Sequence, residues 1–174
     1  MKAMIPKIKN ILYATDLSKN SAYAFRYAIN FAVKHDAKIH ILHVIDMIPA
    51  SVEAALKTIP PTEKWEVYDQ IKNEQMKKYI KKRLEAFCQR EFKDNPTFIN
   101  RIASIEVVEG DPAGEILQKT DDLKANLVVM GTHGKGLLTH AFLGSVAEKV
   151  LNWIKIPVFI IPIPKEIDIG FKDV

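Results

Sequence analysis

The sequence has little cysteine and no long apolar run. Cys88 is its single cysteine, so no disulfide can form within the chain, which fits a reducing compartment. We expect Cys88 to fill space in a helical part of the core. No apolar run reaches the roughly 18 residues of a membrane span, and residues 1–9 lack the apolar centre of a signal peptide. These absences predict a cytoplasmic protein without membrane segments.

Neither sign of charge is in large excess. The 25 Lys and Arg residues face 21 Asp and Glu residues, which leaves a net charge of +4. Such a small excess is weak evidence for nucleic-acid binding, so we expect no nucleic-acid partner. The chain has 174 residues, of which 48% are hydrophobic and 26% charged. This composition predicts one domain over residues 1–174 that buries its core unaided.

Short apolar runs alternate with segments of helical periodicity along the whole chain. Strands are predicted at 9–14, 38–45, 102–108, 126–130 and 156–161, and helices at about 18–35, 62–92, 113–122 and 145–153. This order indicates an open, doubly wound, five-stranded parallel sheet with helices on both faces. Ligands of such sheets bind at the carboxyl ends of the strands, where the strand order reverses.

Several helix boundaries carry recognisable signals. Asp16 and Ser18 are good N-cap types for the first helix, and Asp16 on its own is favoured as a cap. Asp111 with Pro112 marks the start of the third predicted helix. The basic clusters at 77–78 and 81–83 of the long helix are interpreted as a solvated face.

Two common phosphate-binding motifs are missing. No Gly-x-x-x-x-Gly-Lys-[Ser/Thr] run occurs, and no Gly-x-Gly-x-x-Gly follows the first strand. These absences exclude a P-loop enzyme and a standard dinucleotide fold.

A different glycine pattern lies between the fourth strand and the last helix. Gly131-x-x-Gly134 is followed, after nine residues, by Gly144-Ser145. Glycine lets backbone approach a ligand closely, and a helix start offers unpaired N–H groups to an anion. Ser145 as N-cap, with the N–H groups of the next two residues, would make an anion site to which Lys135 adds a charge. The alternative is that these glycines serve turn geometry alone.

Together with this motif, residues at other strand ends resemble the universal stress protein family. They are Asp16 after the first strand, His43-Val44-Ile45-Asp46 after the second, Gly110-Asp111-Pro112, and Pro157-Val158. The resemblance extends over residues 11–162, and the glycine motif is similar to that of the ATP-binding branch. It implies a Rossmann-like fold of the adenine nucleotide alpha hydrolase type. The proline-broken link at 47–61 and the extension at about 163–174 depart from the family pattern.

The resemblance also implies which residues would contact ATP. Asp16 would touch the ribose or adenine end, the backbone of Val44 would contact adenine, and the other candidates would line the rim, the sugar or the phosphates. With His133 added from its place in the loop and Ala147 from the helix start, the full set of candidate site residues is Ala14, Thr15, Asp16, Val44, Met130, Gly131, His133, Gly134, Lys135, Gly144, Ser145, Val146 and Ala147.

The sequence offers no catalytic constellation. His133 and His140 lie near the glycines without a partner carboxylate or a second metal ligand at a telling spacing, so His133 is interpreted as a binding or solvent residue. We therefore expect no catalytic residue and no protein metal ligand. A divalent ion, Mg²⁺ or Mn²⁺, would be held through the ATP phosphates.

Together with these observations, the resemblance implies a cytoplasmic, nucleotide-sensing regulatory module of the stress response that binds ATP and an unknown protein partner. The apolar last strand at 158–161 would leave an open sheet edge in a monomer, which predicts a homodimer. The alternatives are an ATP-independent dimeric interaction protein and an enzyme that hydrolyses ATP slowly or forms adenylates.

Overall fold

The computed structural model describes residues 5–47, 65–132 and 143–162. The elements are β1 (Asn10–Thr15), α1 (Lys19–His35), β2 (Lys38–Asp46), α2 (Trp65–Glu91), a 3₁₀ helix (Pro96–Arg101), β3 (Ile102–Gly110), α3 (Pro112–Asp122), β4 (Leu127–Gly131), α4 (Ser145–Trp153) and β5 (Val158–Ile161). The 3₁₀ helix was not predicted. The predicted start of the long helix at 62–64, the 48–61 part of the link and the extension at 163–174 lie outside the described residues.

All five strands are parallel and form one sheet in the order β3-β2-β1-β4-β5. From β1 the chain moves outward to β2 and β3, returns to β4 on the other side of β1, and ends at β5. The strand order therefore reverses between the neighbouring strands β1 and β4, as in doubly wound sheets. The predicted fold class is confirmed, and the carboxyl end of β1 is the point at which a ligand is expected.

The sheet separates two apolar layers, because successive residues of a strand face opposite sides. Ile11, Tyr13 and Ile41 face the layer that contains α1 and α2, which includes Phe25 and Phe87. Alternate residues of the same strands face the second cluster, to which α3 and α4 contribute. This burial on both faces explains why the strands read as continuous apolar runs. Cys88 is buried in the first layer, as expected, and burial raises the pKa of its thiol to about 12.

Helix caps confirm one sequence prediction and correct another. Asp111 caps α3 by accepting a hydrogen bond from the Gly114 N–H at 2.9 Å, with Pro112 at the first helical position, as predicted. At α1 the cap is Ser18, whose hydroxyl oxygen accepts from the Ser21 N–H at 3.2 Å. The prediction that favoured Asp16 as a cap is wrong, since Asp16 precedes the capping residue by two positions.

Candidate ligand-binding cleft

A cleft of about 730 Å³ opens at the carboxyl ends of β1, β2 and β4. Its volume falls within the range of roughly 300–1,000 Å³ typical of small-molecule sites. Ten of the predicted site residues line it: Ala14, Thr15, Asp16, Val44, Met130, Gly131, Gly144, Ser145, Val146 and Ala147. The other three, His133, Gly134 and Lys135, lie outside the described residues. The sheet topology thus brings together segments that are more than one hundred residues apart in sequence.

The turn after β1 holds Asp16 at the cleft. Oδ1 of Asp16 accepts hydrogen bonds from the backbone N–H and the hydroxyl of Ser18, at 3.1 and 2.6 Å. Oδ2 is buried and has no hydrogen-bond partner within the described part of the chain. The next residue, Leu17, is buried and adopts a positive φ of 66°, an unusual conformation for a branched residue. This strained turn fixes a carboxylate with one unpaired oxygen at the edge of the cleft.

A buried hydroxyl network supports this turn from below. The Thr15 hydroxyl donates to Oγ of Ser21 at 2.8 Å and accepts from the Leu17 N–H at 3.1 Å. The Tyr13 hydroxyl donates to the Ser21 carbonyl oxygen at 2.5 Å, and burial raises the pKa of Tyr13 well above its ordinary value. Sequence reasoning missed this network, because Ser21 belongs to no recognised motif and its contacts depend on how α1 packs against β1.

His43 links β2 to the end of β1. Its Nδ1 lies 2.7 Å from the Thr15 carbonyl oxygen. A carbonyl oxygen can only accept, so Nδ1 carries the proton in this contact. The side chain of His43 is buried. His43 therefore helps to position Thr15 beside the cleft.

The start of α4 forms the opposite side of the cleft. Gly144 is the N-cap, with extended dihedrals of φ −71° and ψ 152°, and its N–H donates to the Thr132 carbonyl oxygen at 2.7 Å. The prediction that Ser145 is the N-cap is wrong, since Ser145 is the first helical residue. Because glycine has no side chain, it leaves the first N–H groups of α4, which begin at Ser145, without a capping oxygen from the cap residue. These N–H groups are suited to bind an anion.

The long helix α2 contributes residues to the cleft that were not predicted. Met76, Tyr79, Ile80 and Arg83 line it. Lys77 Nζ lies 3.9 Å from a carboxylate oxygen of Glu109 near the end of β3, which holds this part of α2 level with the carboxyl edge of the sheet. Helical spacing alone does not reveal which face of a helix meets a cleft, so Arg83 had been interpreted as part of a solvated face.

The charged side chains that line the described part of the cleft include two carboxylates, Asp16 and Asp46, and the guanidinium of Arg83. Among the described residues, no group of three or more His, Cys, Asp or Glu side chains could hold a metal ion. In the same part of the chain, no helix is both long and apolar enough to cross a membrane.

The fold and the cleft define an open α/β protein with a ligand site at the point where the strand order reverses. The sequence profile of the universal stress protein family matches residues 7–162. The chain belongs to the universal stress protein family.

Comparison with known proteins agrees with this assignment. Universal stress protein MJ0531 of Methanocaldococcus jannaschii is 32% identical over 158 residues, which cover 91% of this chain and 84% of that protein. The solved structure of protein MJ0577 has a TM-score of 0.69 at 26% identity and covers 92% of this chain and 100% of that one. A universal stress protein solved in complex with cAMP has a TM-score of 0.58 at 21% identity, with coverages of 90% and 98%. This last likeness shows a shared fold.

Proposed function

We propose that this protein is a cytoplasmic, ATP-binding regulatory module that senses the nucleotide and communicates with a protein partner. The observation that carries this proposal is the buried Oδ2 of Asp16, which has no hydrogen-bond partner among the described residues and belongs to a side chain that lines the cleft. Leaving a buried carboxylate oxygen unpaired costs free energy. A ligand hydroxyl that donates to it would remove this cost.

The geometry supports a nucleotide that spans the cleft. Asp16 would accept a hydrogen bond from a ribose hydroxyl, and the backbone of Val44 at the end of β2 would contact adenine. The first N–H groups of α4 would bind phosphate oxygens, helped by the positive end of the helix dipole. A Mg²⁺ or Mn²⁺ ion, held through those oxygens, would supply further phosphate neutralisation. The family member solved with cAMP indicates that this fold can hold an adenine nucleotide.

The predicted homodimer belongs to the same proposal. Among the strands of the described residues, β5 pairs with β4 on one side and forms the end of the sheet on the other. Its sequence is Val-Phe-Ile-Ile, without a charged residue, and Phe159 is half exposed. An apolar edge strand without charged residues tends to pair with a strand of another chain. We propose that two copies pair along β5.

Calorimetric titration of nucleotide-stripped protein with ATP, in the presence of Mg²⁺ or Mn²⁺, tests the nucleotide proposal. The critical variant is Gly144→Val, which places side-chain bulk at the start of α4 where the phosphates would lie. The dihedrals of Gly144 are open to any residue, so the variant should fold and lose ATP binding. Gly114→Ala is the matched control, since an added Cβ there would lie 3.4 Å from the Asp111 carboxylate and outside the cleft lining.

Wild-type protein without a calorimetric signal would disprove the proposal. Equal affinities for wild type and Gly144→Val would disprove the role of α4. Mass spectrometry of the nucleotide released from freshly purified protein identifies the ligand directly. Product analysis after long incubation with ATP separates a binding module from a slow hydrolase or an adenylate-forming enzyme.

A further inference from the structure

The cleft has two chemically different ends. Its β4 side carries the N-terminus of α4, which suits an anion. Its β2 side is bordered by α2, which packs against β3 and joins it through the Lys77–Glu109 ion pair. At this second end the described side chains are mainly apolar or aromatic, and they include Met76, Tyr79 and Ile80.

Tyr79 and Arg83 lie on consecutive turns of α2. The guanidinium carbon of Arg83 is 5.8 Å from the centre of the Tyr79 ring, a cation–π distance. Tyr79 is 59% exposed although it lines the cleft. Ile80, only 8% exposed, anchors this turn of the helix in the core. The aromatic ring is therefore held on a fixed helix while much of its surface stays open.

A second Arg–aromatic pair on the same helix has a different environment. Arg90 lies 5.6 Å from the centre of the Phe87 ring, but Phe87 is 2% exposed and belongs to the core. There the Phe87 ring packs against Phe25 of α1 in the core. Tyr79 and Arg83 form the same kind of cation–π pair, but they line the cleft, and the Tyr79 ring is exposed and not part of the core.

We propose that Tyr79 and Arg83 form the wall of the cleft that contacts the purine base of the bound nucleotide. This inference rests on the proposed nucleotide binding. A tyrosine ring and a guanidinium are both planar and stack readily on a base, whereas phosphates are served at the other end by α4. Base stacking on such a surface tolerates every base, so Tyr79 and Arg83 supply affinity, and edge contacts elsewhere supply discrimination.

The test compares Tyr79→Ala and Arg83→Gln with wild type by calorimetric titration with ATP, ADP, AMP and adenosine. Each variant should weaken binding by about tenfold, the order expected for one lost stacking partner. The factor should be the same for all four ligands, because the base is common to them. Arg90→Gln is the matched control, since it removes the equivalent cation–π contact outside the cleft, and its affinities should equal those of wild type.

Saturation-transfer NMR gives an independent readout. Adenine protons should receive magnetisation from the Tyr79 ring in wild type, and this transfer should be lost in Tyr79→Ala. A loss in Arg83→Gln that grows from adenosine to ATP would place Arg83 at the phosphates and overturn the inference. Unchanged affinities in both variants would overturn it while leaving nucleotide binding intact, and absence of binding by wild type would overturn both.

Discussion

At the scale of single residues, the two carboxylate oxygens of Asp16 have different environments. One accepts two hydrogen bonds from Ser18, and the other is buried without a partner in the described residues. A purely structural aspartate gains nothing from the second arrangement, because an unpaired buried oxygen destabilises the fold. Strain at Leu17, with its positive φ, adds to the cost of this turn. Both costs are concentrated at the cleft, where ligand binding would compensate them.

Asp16→Asn separates the structural role of this residue from the functional one. The amide oxygen can still accept from Ser18, but the second position becomes a donor and cannot accept from a ribose hydroxyl. Affinity for ATP should fall by about tenfold or more. The free energy of unfolding should stay level or rise by up to about 1 kcal/mol, since a neutral amide is easier to bury than a charge. Titration calorimetry and urea unfolding measure the two quantities.

The control is Asp121→Asn, which changes the same functional group at an exposed position of α3 outside the cleft lining. It should alter neither quantity. Should Asp16→Asn lose stability while its affinity for ATP remains that of wild type, Asp16 would be a structural residue and the central observation behind the proposed function would fail.

At the scale of elements, the start of α3 illustrates how a helix beside the cleft is secured. The carboxylate of Asp111 accepts from the Gly114 N–H and lies 3.5 Å from Nζ of Lys149 on α4. The Gly114 N–H is the main cause that lowers the pKa of Asp111, and Lys149 lowers it further. Because Pro112 and Ile116 of α3 line the cleft, this cap also helps to fix one of its sides.

Asp111→Ala should lower the free energy of unfolding by about 1 kcal/mol at neutral pH, as expected for a lost N-cap. A carboxyl with a lowered pKa in the folded state stabilises the protein above its unfolded pKa, about 3.9. This contribution disappears as the pH falls through the lower folded value. The difference between wild type and Asp111→Ala should therefore shrink below about pH 4, which urea unfolding between roughly pH 2.5 and roughly pH 7 would measure.

Asp111→Asn provides the comparison, because the amide oxygen keeps an acceptor for Gly114 without a titrating group. Its stability relative to Asp111→Ala should not depend on pH through this site. A constant difference between wild type and Asp111→Ala down to the lowest pH would contradict the assigned role of the carboxylate.

Much of the element pattern could be predicted from the sequence, because local periodicity and caps carry it. Asp111 followed by Pro112 is a local helix-start signal. Strands that are apolar on both faces indicate burial between two layers of helices. The 3₁₀ helix at Pro96–Arg101 also begins with a proline after an N-cap residue type, Asn95. It was missed because it has only six residues and none of them is buried, so no apolar periodicity follows the start signal. The bounds of α4 were predicted as observed, but its N-cap was misplaced by one residue, at Ser145 instead of Gly144, since both types are common N-caps.

The cleft was predicted in part, and the missing part has a physical cause. Asp16, Val44 and Gly144 follow strands whose ends must meet at one edge of a parallel sheet, so topology alone brings them together. Tyr79 and Arg83 reach the same cleft through the packing of α2 against β3. That packing depends on contacts distant in sequence, such as Lys77 with Glu109, which no local pattern reports.

At the scale of the whole molecule, the two edges of the sheet differ in how they resist association. β3 is nine residues long and carries Glu106 and Glu109, of which Glu106 pairs with Lys119 at 2.7 Å. Charges on an edge strand discourage pairing with another chain. β5 has four residues and no charge, and Phe159 contacts Phe31 of α1 with ring centres 4.4 Å apart. The asymmetry favours association through β5.

Phe159→Lys tests this association, because a charge on the β5 edge would oppose close approach of a second copy. Wild-type protein should be a dimer at micromolar concentration by light scattering, and the variant should be monomeric. Val33→Lys is the control, since Val33 on α1 is 40% exposed and Phe159 is 41% exposed, yet Val33 lies outside the sheet edge. It should remain dimeric. Monomeric wild-type protein would contradict the dimer, and a dimeric Phe159→Lys variant would place the interface on another surface.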